Sequence, residues 1–203
     1  MTENIILITG GVRSGKSLFA EELVKKAGRE VVYIATAQSK DKEMEQRIRL
    51  HQERRPTSWL TIEEPLDIPA RLKELTDNQV VLIDCLTVYL TNHLLKLLPD
   101  PDAVVDLPKV EAEMIAIIDN LVSACQECKS KIMVVSNEVG LGLVPPYLLG
   151  RVFRDMSGLA NQKFGLVADQ VFFVAAGIPI ELKSIAYFNK EKEGINEFKA
   201  NLL

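Results

Sequence analysis

Along the 203 residues, continuous apolar runs alternate with stretches of helical period. Ile5-Ile6-Leu7-Ile8 is mostly β-branched and stops at Thr9-Gly10-Gly11, which predicts a central strand buried on both faces. From Lys16 the period changes. Leu18, Phe19, Leu23 and Val24 are spaced by Glu21, Glu22, Lys25 and Lys26, and Gly28 ends the pattern, as in an amphipathic helix with its apolar residues inward. Further strands are predicted at Val31 to Ala35, Val80 to Asp84, Ile132 to Val135 and Val171 to Val174, with a short one from Trp59 to Ile62 after the Arg54-Arg55-Pro56 break. The longest helix begins near Pro108, whose missing N–H costs nothing in a first turn, with Asp106 as its cap. Its expected buried stripe is Val110, Met114, Ile117, Ile118, Leu121, Val122 and Cys125, and another helix runs from about Leu148 to Phe164.

Strand and helix in alternation predict a mostly parallel central sheet with helices on both faces, a three-layer α/β fold. The segment from Leu98 to Pro108, with three prolines and three aspartates, is expected to be a flexible insertion. The tail after Ser184 is polar and lysine-rich and predicts a terminal helix or a loosely held end.

Composition narrows the class without changing that outline. Hydrophobic residues make up 47% and charged residues 26%, an ordinary balance for one globular domain spanning residues 1–203. A net charge of -4 argues against non-specific nucleic-acid binding, which needs a basic surplus. The first apolar run is too short for a signal peptide or a membrane span, so a cytoplasmic location is expected. Three cysteines, Cys85, Cys125 and Cys128, cannot all pair, and no disulfide framework is implied. Cys125 and Cys128 match C-x-x-C without a second ligand pair, and are read as helix residues rather than a metal site.

The candidate chemistry begins at Gly10-Gly11-Val12-Arg13-Ser14-Gly15-Lys16-Ser17, which satisfies G-x-x-x-x-G-K-[ST] between a strand and a helix. In such a loop the backbone N–H groups converge on phosphate oxygens, aided by the positive end of the following helix. Lys16 adds a full charge for the β- and γ-phosphates, and the Ser17 hydroxyl is suited to Mg²⁺. The bland reading is a glycine turn capping a helix. Asp84, at the end of an apolar strand, fits the acidic partner that magnesium needs, or else caps the helix that follows.

Two histidines are present. Met44, Ile48 and His51 are spaced i, i+4, i+7, so a helix from Asp41 to Glu53 would carry His51 on its apolar face. Arg47, Arg49, Arg54 and Arg55 form a basic cluster around it in an acidic chain, a suitable cradle for phosphate. The spacing alone equally fits a solvated helix with Glu43–Arg47 and Glu45–Arg49 pairs and an incidental histidine. His93, in LTNHLLKLL, reads as an ordinary helix residue.

Taken together these segments resemble the bifunctional adenosylcobinamide kinase/adenosylcobinamide-phosphate guanylyltransferases of cobalamin biosynthesis. The likeness runs through ITGGVRSGKS, YIATAQ at 33–38, EMEQRIRLHQERRP at 43–56, VVLIDCLTVYLTN at 80–92 and SNEVGLGLVPPYLLGRVFRDMSGLANQ at 136–162, and fades after about Lys183. GGxRSGKS, the His51 segment, NEVGxGxVP and FRDxxGxxNQ in this order are highly specific. The resemblance implies a P-loop NTPase (RecA-like) fold. It also implies that His51 is the nucleophile that becomes guanylylated, and that GMP passes from GTP to adenosylcobinamide phosphate. In the kinase reaction a γ-phosphoryl group, from GTP or ATP, goes to adenosylcobinamide. By the same match the nucleotide contacts are Gly10 to Ser17, Ala35, Thr36, Ala37, Gln52, Glu53, Arg54, Arg55, Glu63 and Asp84. Glu63 is a reader of guanine N–H groups. Asp84 is open between metal ligand and nucleotide contact, because some family members carry glutamate there. A homotrimer with Mg²⁺ is the implied working form.

Other classes predict other residues. A switch GTPase needs N-K-x-D and D-x-x-G, whereas Asn189-Lys190 is followed by Glu191-Lys192, and Asp84 meets Thr87 at the third position after it. A plain small-molecule kinase would leave His51 structural, and a nucleic-acid module would need a basic, aromatic-interleaved surface.

Overall fold

Six consecutive buried residues, Ile5–Gly10, form strand β1, and only a position inside a sheet covered on both faces satisfies such a run. The computed structural model, which describes residues 4–38, 46, 55–98 and 105–187, gives it that position. The elements are β1, α1 (Lys16–Lys26), β2 (Glu30–Ala35), β3 (Leu60–Glu63), α2 (Ile68–Lys73), β4 (Gln79–Asp84), α3 (Leu86–Leu97), α4 (Leu107–Glu127), β5 (Lys131–Val135), α5 (Leu148–Val167), β6 (Gln170–Ala175), β7 (Ile178–Glu181) and α6 (Leu182–Ile185). They build one seven-stranded sheet of order β3-β2-β4-β5-β1-β6-β7. All pairings are parallel except β6 with β7. Strand β5 lies between β1 and β4, so the phosphate-loop strand and the Asp84 strand are not neighbours.

Alternate residues of each strand point to opposite faces, and the two faces are covered unequally. Ile5, Leu7, Val81, Ile83, Ile132 and Val134 pack with residues of α2, α3, α4 and α5. On the other face Ile6, Ile8, Tyr33, Leu82 and Met133 meet Ala20 and Val24 of α1 together with Trp59. The result is the three-layer architecture read from the sequence. The helix beginning near Pro108 is α4, where Asp106 accepts the Lys109 N–H as its cap. Its stripe is buried as expected, with Ile117 half-buried beside it. Cys125 and Cys128 belong to this core.

Two expectations are corrected. In α1 the buried residues are Lys16, Ala20, Glu21 and Val24, while Leu18 is 65% exposed. Lys16 must face the loop it closes, and that fixes the helix rotation. The i+4 and i+8 positions counted from Lys16 turn inward, and Leu18 turns out. The chain also does not end its sheet at Val174. The turn Ala176-Gly177 has φ of 50° and 81° and returns the chain as β7, a two-residue hairpin of the type that suits strand twist. Pro179 is accommodated because β7 is an edge strand.

The predicted helix around His51, the insertion at 99–104 and the tail from residue 188 lie outside the described residues. Among the described residues no helix is long and apolar enough to cross a membrane.

Candidate active site

Parallel strands deliver their C-terminal ends to one edge of a sheet, and ligands of such folds bind there. At this edge β1 runs into the glycine loop. A Cβ on Gly10 would stand 2.4 Å from the Val174 carbonyl oxygen, so no larger residue fits where the loop leaves the sheet. Gly15, with φ of 96°, takes the left-handed turn into α1 that a side chain would strain. The loop is braced from two sides. Gly177 N donates to Ser14 O at 2.9 Å, and Glu138 N, after β5, donates to Gly10 O at 3.0 Å.

Lys16 is buried, and its Nζ donates to Gly11 O at 3.1 Å, folded back over the loop. Burial lowers its pKa from the ordinary lysine value, opposed by the nearby Cys85 and Asp84. Val12 and Arg13 are exposed, and Ser17 is half-buried in the first turn of α1. The Ser14 Oγ is buried with no hydrogen-bond partner among the described residues.

Asp84 ends β4, and its Oδ2 accepts a 2.7 Å hydrogen bond from Tyr33 Oη. Tyr33 is buried and its phenol pKa is raised, first by burial and then by Asp84. Its ring stacks on Trp59 with centroids 6.4 Å apart, and the Arg55 guanidinium lies 3.5 Å from the ring centroid on a cation–π contact. Sequence reading treats Tyr33 as one more apolar strand position. The signal it overlooks is that a buried tyrosine must find a partner for its hydroxyl.

Ala35 pairs with Glu63 on one side and with Asp84 on the other, so these residues form a row across the ends of three strands. Glu63, which is exposed, therefore stands two strand spacings from Asp84, about 10 Å. Thr36 is fully buried, and its hydroxyl both accepts from Cys85 N at 2.8 Å and donates to Cys85 O at 2.9 Å. Asn92 Nδ2 holds Thr36 O at 2.9 Å. Thr36 is thus a clamp between β2 and β4, its hydroxyl committed to Cys85 on both sides. The Cys85 thiol is pushed up to about 11 by burial, which keeps it protonated beside Asp84.

His51, Gln52, Glu53 and Arg54 lie outside the described residues, whereas Arg55, the next residue, is among them. His93 packs edge-on to Tyr89 and bonds Leu66 O through Nε2 at 3.0 Å, a helix residue with a structural contact.

Past β5, Ser136 Oγ donates to Asn161 Oδ1 at 2.6 Å, Asn161 Nδ2 to Asn137 O at 3.2 Å, and Asn137 Nδ2 to Thr87 Oγ1 at 2.7 Å. These bonds tie α5 and α3 to the same edge. Ser136, Asn137 and Asn161 belong to NEVGxGxVP and FRDxxGxxNQ, or border them, yet no role could be read for them from sequence.

Comparison with known proteins fits this geometry. The family model described as cobinamide kinase / cobinamide phosphate guanyltransferase matches residues 6–182. The bifunctional adenosylcobalamin biosynthesis protein CobU of Escherichia coli is 40% identical over 181 residues, 88% of this chain and 99% of that protein. CobP of Pseudomonas aeruginosa, of the same description, is 43% identical over 178 residues, 87% of this chain and 96% of that protein. Among solved structures, a prototypical ATPase from the type III secretion system of pathogenic bacteria is similar with a TM-score of 0.48 and 12% identity, over 97% of this chain and 62% of that one. With a phosphate loop, an acidic strand end and a family match running from β1 into α6, the chain belongs to the cobinamide kinase / cobinamide phosphate guanyltransferase family.

Proposed function

We propose that the chain phosphorylates adenosylcobinamide and then transfers GMP from GTP to adenosylcobinamide phosphate, with His51 as the covalent carrier. The observation that carries the reading is the family match over residues 6–182, joined to a phosphate loop whose Lys16 lies within electrostatic reach of Asp84. In the kinase step the substrate hydroxyl oxygen attacks the γ-phosphorus, the bridging P–O bond breaks, and the nucleoside diphosphate leaves as the hydroxyl proton passes to solvent. In the transfer a His51 ring nitrogen attacks the α-phosphorus of GTP. A P–N bond forms and pyrophosphate departs. The acceptor's phosphate oxygen then attacks the same phosphorus and releases the imidazole. GTP is the guanylyl donor, and GTP or ATP serves the kinase.

The residues fit a magnesium ion. Tyr33 occupies one oxygen of Asp84, and the other has no hydrogen bond among the described residues. Ser17 is accessible in the first turn of α1. No group of three or more His, Cys, Asp or Glu that could hold a metal gathers among the described residues, so phosphates and water would supply the remaining ligands, as this cation prefers. When bound, it would neutralise charge on the phosphates. The unpartnered Ser14 Oγ suits a phosphate oxygen, and Glu63 suits the guanine edge. A trimer, working in the cytoplasm, belongs to the same reading. It is supported by exposed Ile178, Ile180, Ile185 and Tyr187 at the β7 end of the sheet, an apolar patch of the kind that marks interfaces. Sedimentation should return three times the chain mass.

The decisive test is incubation of wild type and His51→Ala with labelled GTP, adenosylcobinamide and its phosphate. Wild type should retain label through denaturation, and the variant should not, while phosphorylation of adenosylcobinamide survives better than guanylyl transfer. A variant that makes adenosylcobinamide-GDP at the wild-type rate would rule out the covalent route.

A further inference from the structure

An open groove of about 350 Å³ lies between α5 and the loop that follows β5, lined by Gly140, Arg154, Asp155, Gly158, Leu159 and Gln162. The helix residues lining it recur at i, i+1, i+4, i+5 and i+8, one face of α5. Val152, Met156, Ala160 and Phe164, on the other face, are buried in the core. We propose that this groove binds the corrinoid acceptor by an amide-bearing edge of its macrocycle, an inference that rests on the function proposed above.

Four observations support it. The first is donor and acceptor chemistry. A corrinoid is a flat ring fringed with primary carboxamides, each offering N–H donors and a carbonyl acceptor. Arg154 donates, the exposed Asp155 carboxylate accepts, and the exposed Gln162 amide does both. Arg154 Nη2 donates to Gly140 O at 2.7 Å, which fixes the guanidinium on the groove wall, while its Nε is buried without a partner among the described residues.

Gly158 supplies the second. A glycine inside a helix weakens it relative to alanine, and packing does not require one here, since an added Cβ would meet nothing within 4 Å. Its effect is to keep the groove open. Gly165 is also unconstrained by packing but does not line the groove, which makes it a control on the same helix.

The third is the rim. The loop that starts at Gly140 exposes Leu141, Leu143 and Val144, with Leu143 97% exposed, and Arg151 holds its far end through the Pro145 and Pro146 carbonyls. These side chains suit the apolar face of the ring. A groove of this volume takes only part of so large a ligand, and the rest would lie against this loop.

Location is the fourth. Gly158 is three residues from Asn161, about 4.5 Å along the helix axis. Asn161 bonds Ser136 and Asn137, and Glu138 N bonds Gly10 O in the phosphate loop. A ring held here has its tail directed at the edge where the phosphates bind.

The test compares wild type, Gly158→Leu, Gln162→Ala and Gly165→Leu for cobinamide binding by visible absorption, with thermal melts to check folding. Label uptake from GTP alone reports the nucleotide side separately. Gly158→Leu should raise the cobinamide Kd and the acceptor KM at least tenfold, Gln162→Ala should raise them a few-fold, and Gly165→Leu should match wild type. Unchanged binding by folded Gly158→Leu and Gln162→Ala, or an equal loss in Gly165→Leu, would overturn the groove alone. Wild type that takes label from GTP yet binds no cobinamide would overturn the proposed function and the groove together.

Discussion

The two flanks of the phosphate loop are built differently. On the α1 face of the sheet, Tyr33 is packed between Trp59 and Arg55 and bonded to Asp84, and the chain that carries His51 ends there. On the opposite face Asn161 of α5 joins Ser136 and Asn137 by side-chain hydrogen bonds, beside an open groove. One flank is an aromatic clamp and the other a polar trough. An enzyme that attacks the γ-phosphorus of one triphosphate and the α-phosphorus of the next must bring in two different attacking groups. In the proposed reactions, flanks of unlike construction would let a protein side chain approach from one face and a large acceptor from the other, with Lys16 and the loop common to both.

Removing the common element should have the largest effect. Lys16→Ala is expected to lower kcat/KM of both phosphorylation and guanylyl transfer by about 100-fold or more, as loss of a buried charge-stabilising donor does. A loss confined to one reaction would mean that the two do not share the anchor. Next comes the aromatic clamp. Tyr33→Leu removes the platform under Arg55 and should depress His51 labelling about tenfold or more, since a cation–π contact in a desolvated site is worth on the order of 1–2 kcal/mol. Tyr33→Phe keeps the ring but frees Asp84, and should instead raise the magnesium concentration needed for half-maximal rate. If both variants behave alike, the hydroxyl and the ring do not have separate roles.

These contrasts also mark how far the sequence could be read. Strand β1, the glycine loop and Asp84 were legible because strand burial and phosphate binding each impose a strict local pattern. Tyr33 was not, since a tyrosine in a buried strand looks like core until its hydroxyl partner, 51 residues away, is known. The rotation of α1 departs from its apolar count because a lysine with a tertiary bond, Lys16 to Gly11 O, outranks it. Strand β7 escaped because Ala176-Gly177 lacks the usual asparagine or aspartate and Pro179 argues against a strand. The groove motifs were visible as letters, but their shared edge exists only once β5 lies beside β1.

Smaller effects should be structural and leave the comparison of flanks intact. Thr36→Val deletes a buried hydroxyl that both donates and accepts, and is expected to cost about 1–3 kcal/mol in denaturant unfolding, with binding constants for the nucleotide largely kept in the folded fraction. The weakest effect concerns His93, whose pKa is lowered by burial. A histidine held neutral in the folded state contributes stability that is complete above its unfolded pKa, about 6.5, and is lost as pH falls below that value toward the folded pKa. His93→Gln should flatten this acid-side decline in melting temperature and leave the profile above neutrality unchanged.

The hydrogen bond from Gly177 to Ser14 has a consequence for synthesis of the chain. Strand β1 is made well before both its neighbours, β5 and β6, which start at Lys131 and Gln170, and the turn that braces the loop follows β6. A ribosome-bound chain stalled before Gly177 would carry the complete phosphate-binding motif without its brace. The ability to hold a nucleotide should therefore arise abruptly once Gly177 has been made and can reach the loop, and chains released before it should neither bind GTP nor compete for it.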